Sequence, residues 1–264
     1  MNYKQMLRQN KMPHIWCPGC GHGMVLAAFL RALAQKELDP NNVAVISGIG
    51  CSSRASGYLD FNTLHTTHGR AIPFATGIKM AKPNLKVIVL TGDGDSTAIG
   101  GNHLIHAARR NIDLTVIVFN NNIYGMTSGQ YSPLTPHMKL ATTAPYGNFD
   151  YPFDLVNLAK GAGATFVARG ATSQPRHLEK LISQGLDHNG FSLVEVVTQC
   201  PTYFGRKNKM GSPVDMLQWQ RENTSTSGKE GTIPLGVFVQ EERPEYGANY
   251  LQLVKTVAEG KSGE

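Results

Sequence analysis

The hydrophobic positions of this 264-residue chain fall into short unbroken runs, separated by longer stretches with a helical period. Residues 43–47 (VAVIS), 86–90 (KVIVL), 114–119 (LTVIVF), 164–168 (ATFVA) and 192–197 (SLVEVV) are apolar runs of strand length. They are rich in β-branched residues and several end at Gly or Asn clusters, which marks buried strands. Between them, 22–36, 71–81, 96–110, 155–161 and 174–186 place apolar residues at helical spacing. Apolar strands alternating with helices predict an α/β fold, a mostly parallel sheet with helices on both faces. Its crossovers would be right-handed, and its ligands would sit beyond the carboxyl ends of the strands. Cys51, Asp93, Asn121 and Cys200 each follow such an end, so they are expected in one site.

From about Tyr203 the pattern fades. The polar stretches 205–209 and 223–228 predict an irregular C-terminal arm. The expected division is therefore a ligand-binding domain over 1–204 and an arm over 205–264, packed on a partner and frayed at 260–264.

Composition narrows the class. With 41% hydrophobic and 17% charged residues, a real core is expected and disorder is not. The charge of +6 (25 Lys and Arg against 19 Asp and Glu) is spread along the chain without a basic block. No helix-turn-helix, zinc-finger or basic aromatic motif appears, so nucleic acid is not an expected partner. No apolar run approaches the ~18 residues needed to span a bilayer. The first residues show no apolar stretch with a cleavage site, so a cytoplasmic location is expected.

Chemistry enters at Gly92-Asp93-Gly94-Asp95, where a strand gives way to a helix. Glycines there let the backbone approach a bound group, and free N–H groups at a helix start favour phosphate oxygens. Asp93 offers a hard carboxylate oxygen suited to Mg²⁺, which would offset repulsion from a diphosphate. Asn121 follows 28 positions later, room for one helix and one strand, and so returns to the same sheet edge. Gly-Asp-Gly alone is an ordinary turn; the interval to Asn120-Asn121-Asn122 makes it a ligand site. The pattern is similar to the thiamine diphosphate signature. That resemblance implies Asp93 and Asn121 as side-chain ligands of Mg²⁺, and the Ile123 carbonyl as a backbone ligand.

The four cysteines are Cys17, Cys20, Cys51 and Cys200. Cys17-Pro18-Gly19-Cys20 could be a redox dithiol or half of a zinc or iron–sulfur site. Two further cysteines at strand ends fit a dithiol poorly, and disulfides are not expected in the cytoplasm. Thiolates accept either metal, so spacing leaves iron and zinc both open.

Five segments occur here in one order: Trp16-Cys17-Pro18-Gly19-Cys20-Gly21, Gly48-Ile49-Gly50-Cys51-Ser52-Ser53, His68-Gly69-Arg70-Ala71, Gly92-Asp93-Gly94-Asp95 and Tyr124-Gly125-Met126-Thr127-Ser128-Gly129-Gln130. Together they resemble the β subunit of 2-oxoacid:ferredoxin oxidoreductases, from about residue 12 to 204. The resemblance implies a thiamine diphosphate-binding fold, with a [4Fe–4S] cluster on Cys17, Cys20, Cys51 and Cys200. It also implies a cofactor held by Gly50, Cys51, Ser52, His68, Gly92, Asp93, Gly94, Asp95, Asn121, Ile123, Tyr124, Gly125, Met126 and Thr127. His68, Tyr124 and Thr127 are the catalytic candidates; core or turn packing is their plainer explanation.

The wording is closest to the 2-oxoglutarate branch. Pyruvate-specific relatives generally carry Asn where Met126 stands, though a pyruvate or broad-specificity subunit is the alternative within the family. The implied activity is oxidative decarboxylation of 2-oxoglutarate with coenzyme A, giving succinyl-CoA and CO₂, with electrons passing through the cluster to ferredoxin. In reverse the same site would fix CO₂, as in a reductive tricarboxylic acid cycle. The chain has room for one cofactor-binding domain only. A heteromer, αβ or (αβ)₂, is therefore expected, its α subunit binding the pyrimidine and supplying an activating Glu. Outside the family, a non-redox thiamine decarboxylase or synthase subunit and a zinc-stabilised interaction subunit are the competing expectations. Among other candidates, His65, His103 and His106 are expected to be structural. Arg54 could neutralise the cluster or a substrate carboxylate, and Arg206 and Lys207 could face an acidic acceptor.

Overall fold

The computed structural model describes residues 3–260; Met1, Asn2 and the last four residues of the expected frayed end lie outside the described residues. The strands are β1 (Val43–Ser47), β2 (Asn62–His65), β3 (Lys86–Gly92), β4 (Leu114–Asn120), β5 (Phe166–Ala171), β6 (Phe191–Val197), β7 (Thr224–Ser225), β8 (Ile233–Pro234) and β9 (Gly236–Gln240). The helices are α1 (His22–Ala34), α2 (Ala71–Ala81), α3 (Asp93–Thr97), α4 (Gly101–Arg109), α5 (Leu155–Gly161), α6 (Pro175–Asp187), α7 (Pro213–Asn223) and α8 (Tyr246–Ala258). Seven strands form one sheet in the order β2-β1-β3-β4-β6-β5-β9. All neighbours are parallel except β9, which runs antiparallel to β5.

Each face carries a core. On one, α1 and α6 bury Phe29, Leu30, Leu33, Leu178 and Ile182 against Leu90, Ile117 and Val194. On the other, α2, α4 and α5 bury Ile72, Leu104 and Leu155 against Val89, Val116 and Leu193. Strands covered on both faces read as unbroken apolar runs, which is why β1, β3, β4 and β6 were legible. Those four lie side by side, ~4.8 Å apart. The loops leaving their carboxyl ends therefore share one edge spanning roughly 15 Å. The chain leaves β1 for β2 on one side while β3 lies on the other, which opens a crevice between the loops after β1 and β3.

The structure corrects several boundaries. The strand expected at 164–168 is Phe166–Ala171, because Gly163 turns the chain at φ +85° and Thr165 is spent on hydrogen bonds to Asn111 and His188. The single helix expected at 96–110 is two, α3 and α4, broken at Ala98 (ψ −102°). Gly100 packs so closely on the Asp95 carbonyl that a Cβ would stand 2.3 Å from it. Helix α1 stops at Ala34 rather than 36. Strand β2 was missed because it is an edge strand with mostly exposed side chains and no apolar run.

The C-terminal segment is not an irregular arm. It holds α7, closed by a Ser212–Asp215 capping box, and α8, capped by Glu245. It also supplies β9, the seventh strand of the main sheet, so a boundary at 204/205 cuts through one sheet. Short strands, an antiparallel edge and half-exposed faces leave little apolar periodicity to read. Among the described residues, no helix is long and apolar enough to cross a membrane.

Candidate active site and cysteine cavity

Two cavities open at the carboxyl edge of the sheet. The first, about 230 Å³, is lined from the β1 loop (Ile49, Gly50, Cys51, Ser52), the β3 loop (Gly92 to Asp95), the β4 loop (Asn121 and Ile123 to Thr127), and by His22, His68 and Phe119. Every residue expected to hold the cofactor lies in it. The second, about 220 Å³, is lined by Cys17, Cys20, Cys51 and Cys200 with Ile15, Trp16 and the 201–203 turn. Cys51, Asn121, Gly125 and Met126 line both, so they form the wall between the cavities.

Asp93 is buried. Its Oδ2 accepts the Ser132 hydroxyl at 2.6 Å. Burial pushes its carboxyl up to about 7, against the pull of Ser132 and of backbone N–H groups; a bound cation would restore the charged form. One arm of the Asn121 amide points at Asp93 Oδ1 (3.3 Å) and at the Ile123 carbonyl oxygen (2.8 Å). Oxygen and nitrogen of an amide are told apart by their partners. An NH₂ on that arm would donate to both neighbours, closing the loop on itself. The arm also accepts the Ile123 N–H at 3.4 Å, as an oxygen does. With oxygen there, Asn121 Oδ1, Asp93 Oδ1 and the Ile123 carbonyl bring three acceptor oxygens together. Octahedral Mg²⁺ with bonds of about 2.0–2.1 Å has ligand oxygens about 3 Å apart. The donor set and its spacing fit that ion.

Asp95 is also buried, but it is fully spent on structure: its carboxylate accepts Gly69 N–H (2.7 Å), Ile49 N–H (3.3 Å) and the Thr91 hydroxyl (2.8 Å). His68 Nδ1 stands 2.7 Å from Asp95 Oδ1, out of line for a hydrogen bond, so the contact is an ion pair when the ring is charged. Gly48 and Gly94 are close approaches: a Cβ would lie 2.1 Å from Asp95 Oδ2 in the first case and 2.1 Å from the Tyr124 ring in the second. Tyr124 crosses Gly94 and donates to its carbonyl at 3.1 Å. Burial raises the phenol to about 12, so it stays a donor. Thr127 is exposed, its hydroxyl donating to Gln130 at 2.5 Å at the cavity rim.

The cysteine cavity is assembled from distant segments. Trp16 Nε1 donates to the Cys51 carbonyl (2.7 Å), which pins the N-terminal loop to the β1 loop. Gly21 N–H donates to the Gln199 carbonyl (3.1 Å) and Gln199 Nε2 to the Gly19 carbonyl (3.2 Å), which pins that loop to the end of β6. All four thiols are free, from exposed Cys17 to buried Cys200. Burial, and then the neighbouring thiols, push Cys51 up to about 11. Cys20 rises to about 12, mainly by burial and against a backbone hydrogen bond; burial also raises Cys200. Gly125 leaves the space between sulfurs open, since a Cβ would stand 3.3 Å from Cys51 Sγ and 3.8 Å from Cys200 Sγ. Among the described residues no three His, Cys, Asp or Glu side chains are grouped to hold one metal ion. The four thiols come from three separate stretches of the chain and line one cavity.

The remaining candidates lie elsewhere or at the rim. Arg54 and His65 are exposed beside the β1 and β2 loops; burial and then Arg54 lower His65. His103 and His106 sit on α4, where His106 accepts from Arg109. Arg206 is exposed and Lys207 half-buried after the 201–205 turn. Sequence reasoning missed two groups. Ser132 lies in a loop with no motif around it. His22, whose Nδ1 is 3.3 Å from Cys20 Sγ, is driven down to about 3 by burial and stays neutral; its nearness to Cys20 in the chain was the available signal.

Residues 17–196 match the thiamine pyrophosphate enzyme C-terminal TPP-binding domain. The chain is 52% identical to the 2-oxoglutarate synthase subunit KorB of Methanothermobacter marburgensis, over 92% of this chain and 88% of that one. It is 49% identical to the subunit of the same name from Archaeoglobus fulgidus, over 99% and 98%. A solved 2-oxoglutarate:ferredoxin oxidoreductase from Magnetococcus marinus, with 2-oxoglutarate, coenzyme A and succinyl-CoA bound, superposes with a TM-score of 0.89 at 33% identity. That alignment covers 98% of this chain and 91% of the other.

Proposed function

The chain belongs to the thiamine pyrophosphate enzymes and, within them, to the KorB subunits of 2-oxoglutarate:ferredoxin oxidoreductases; on that premise we propose that it joins a cofactor half-site to an electron outlet. The reaction is oxidative decarboxylation of 2-oxoglutarate with coenzyme A to succinyl-CoA and CO₂, and its reverse. Asp93, Asn121 and the Ile123 carbonyl would hold Mg²⁺ against the diphosphate. Cys17, Cys20, Cys51 and Cys200 would hold a [4Fe–4S] cluster, which would supply one-electron transfer toward ferredoxin. Thiamine diphosphate, when bound, supplies the nucleophilic carbon and electron sink that let CO₂ leave a 2-oxoacid.

The chain's own part is positioning and electrostatics. Ser132 fixes Asp93 Oδ2, leaving Oδ1 beside the Asn121 amide. Tyr124 stays protonated as a hydrogen-bond donor, and His68, packed beside Asp95, faces the cavity. His68, Tyr124 and Thr127 line the side from which substrate would approach. Cys51 supplies the short route outward, since it touches both cavities. A cofactor bound by its diphosphate here leaves its pyrimidine for a second domain. We assign that role to an α subunit, which would also supply the activating Glu, in an αβ or (αβ)₂ heteromer in the cytoplasm. The contact surface of residues 205–264 with a partner is α8, where Tyr246, Tyr250, Leu253 and Val257 are exposed.

The shared wall of the two cavities carries this reading. The test is iron, acid-labile sulfide and zinc per chain in the complex purified anaerobically with its partner subunit. EPR follows before and after adding 2-oxoglutarate, thiamine diphosphate and coenzyme A, with pyruvate as the comparison. About four irons and four sulfides, with a signal that grows on 2-oxoglutarate, are expected. Zinc, or no metal with full thiamine occupancy, would leave a non-redox thiamine enzyme instead.

A further inference from the structure

A buried polar network behind the site has no part in the chemistry above. Glu195 in β6 and Arg169 opposite it in β5 are 3% and 7% exposed. Arg169 Nε donates to Glu195 Oε2 at 2.7 Å, and its terminal nitrogen donates to Asp154 Oδ1 at 2.7 Å, the carboxylate that caps α5. The Phe238 ring of β9 covers the guanidinium at 5.7 Å. The other oxygen of Glu195 accepts Asn120 Nδ2 at 2.8 Å. Asn120 Oδ1 in turn accepts the Asn122 N–H at 3.1 Å.

A buried ion pair adds little net stability, because desolvation offsets the attraction. Its value here lies in what it fixes. Asn120 is buried at the end of β4, and both ends of its amide are committed, one to Glu195 and one to the turn that follows. Asn122 in that turn has φ +61°, the left-handed conformation. Through it the chain turns so that one arm of the Asn121 amide meets both Asp93 Oδ1 and the Ile123 carbonyl. A charged acceptor holds an amide more firmly than a neutral one, and Arg169 is what lets that charge sit inside the sheet.

We propose that Glu195, held by Arg169, is a positioning residue of the ion site: it fixes Asn120, and through Asn120 the 120–123 turn whose oxygens take the cation. The inference rests on the Mg²⁺ reading above and deepens it. It also gives the C-terminal segment a part in the site, since β9 lays Phe238 over the network.

The test uses the assembled complex, stripped of divalent ions and titrated with Mg²⁺ in the presence of thiamine diphosphate. The readouts are cofactor retention, thermal midpoint and the cluster EPR signal. In E195L/R169M the pair is apolar and Asn120 loses its acceptor. The Mg²⁺ concentration for half retention should rise about tenfold or more, with the EPR signal unchanged. In E195Q/R169M an amide oxygen replaces the carboxylate, and retention should return to within about threefold of wild type. Asn120→Ala leaves the ion pair intact and should reproduce the loss of the Leu/Met pair; it serves as the variant of record if either double variant does not fold. Unchanged Mg²⁺ dependence in Asn120→Ala or E195L/R169M would overturn the proposal, as would equal losses in the Leu and Gln pairs. A wild-type complex that retains thiamine diphosphate without any divalent ion would instead overturn the ion-site reading.

Discussion

The two cavities share a wall but are built on opposite plans. The oxygen site draws on two neighbouring strand ends, β3 and β4, and its proposed ligands are hydrogen-bonded and already convergent. The thiol site gathers three separate stretches, from the N-terminal loop to the end of β6, and its sulfurs range from exposed to buried. A small hard cation demands near-ideal octahedral spacing, so its ligands have to be set by the fold. Burial raises Cys20 and Cys51, so those two thiols hold their protons at neutral pH. On the proposed function, the fold presets the oxygen site, whereas a thiolate-bound group would draw its own ligands together.

That contrast can be broken from either side. The largest effect is expected at the thiol site. Cys200→Ala or Cys51→Ser should bring iron and sulfide per chain to near zero and abolish electron transfer to ferredoxin. Thiamine diphosphate binding should stay within a few-fold, and metal analysis with calorimetry on the same complex checks both. Loss of cofactor binding would show that the thiol site also holds the oxygen site in shape.

Asp93→Asn is the converse. It removes the one charge among the oxygen ligands, so Mg²⁺-dependent cofactor retention should fall by about a hundredfold or more, while the cluster EPR signal persists. Ser132→Ala sharpens the claim of preorganisation, because it frees the outer Asp93 oxygen and touches nothing else in the ligand set. About tenfold weaker Mg²⁺ binding is expected, with little change in thermal midpoint. An unchanged affinity would mean that the backbone alone sets Asp93.

The smallest effect is expected at the wall. Gly125→Ala adds a Cβ 3.3 Å from Cys51 Sγ. It should alter the cluster EPR line shape and leave cofactor affinity within about twofold, the cost of a few tenths of a kcal/mol. An equal disturbance on both sides would show that the wall moves as one piece.

The fold was legible where burial was two-sided. β1, β3, β4 and β6 are covered on both faces, so their apolar runs are continuous, and they are the strands that carry the site. β2 and β9 lie at the sheet edges, where exposed side chains erase that pattern. The broken helix at 98–100 was illegible for another reason: Gly100 is required by the Asp95 carbonyl, a contact made in space.

The residues proposed as ligands are written in the chain. Hard oxygens at Asp93 and Asn121, one helix and one strand apart, and four cysteines in three segments follow from spacing that parallel-sheet topology converts into a shared edge. Their supports were not. Ser132 reaches Asp93 from 39 positions away, Glu195 reaches Asn120 from 75, and Trp16 reaches Cys51 from 35. A hydrogen bond across such intervals has no local period and no fixed spacing. Only packing the two helical layers onto one sheet decides which side chains meet, and so which of them hold the ligands still.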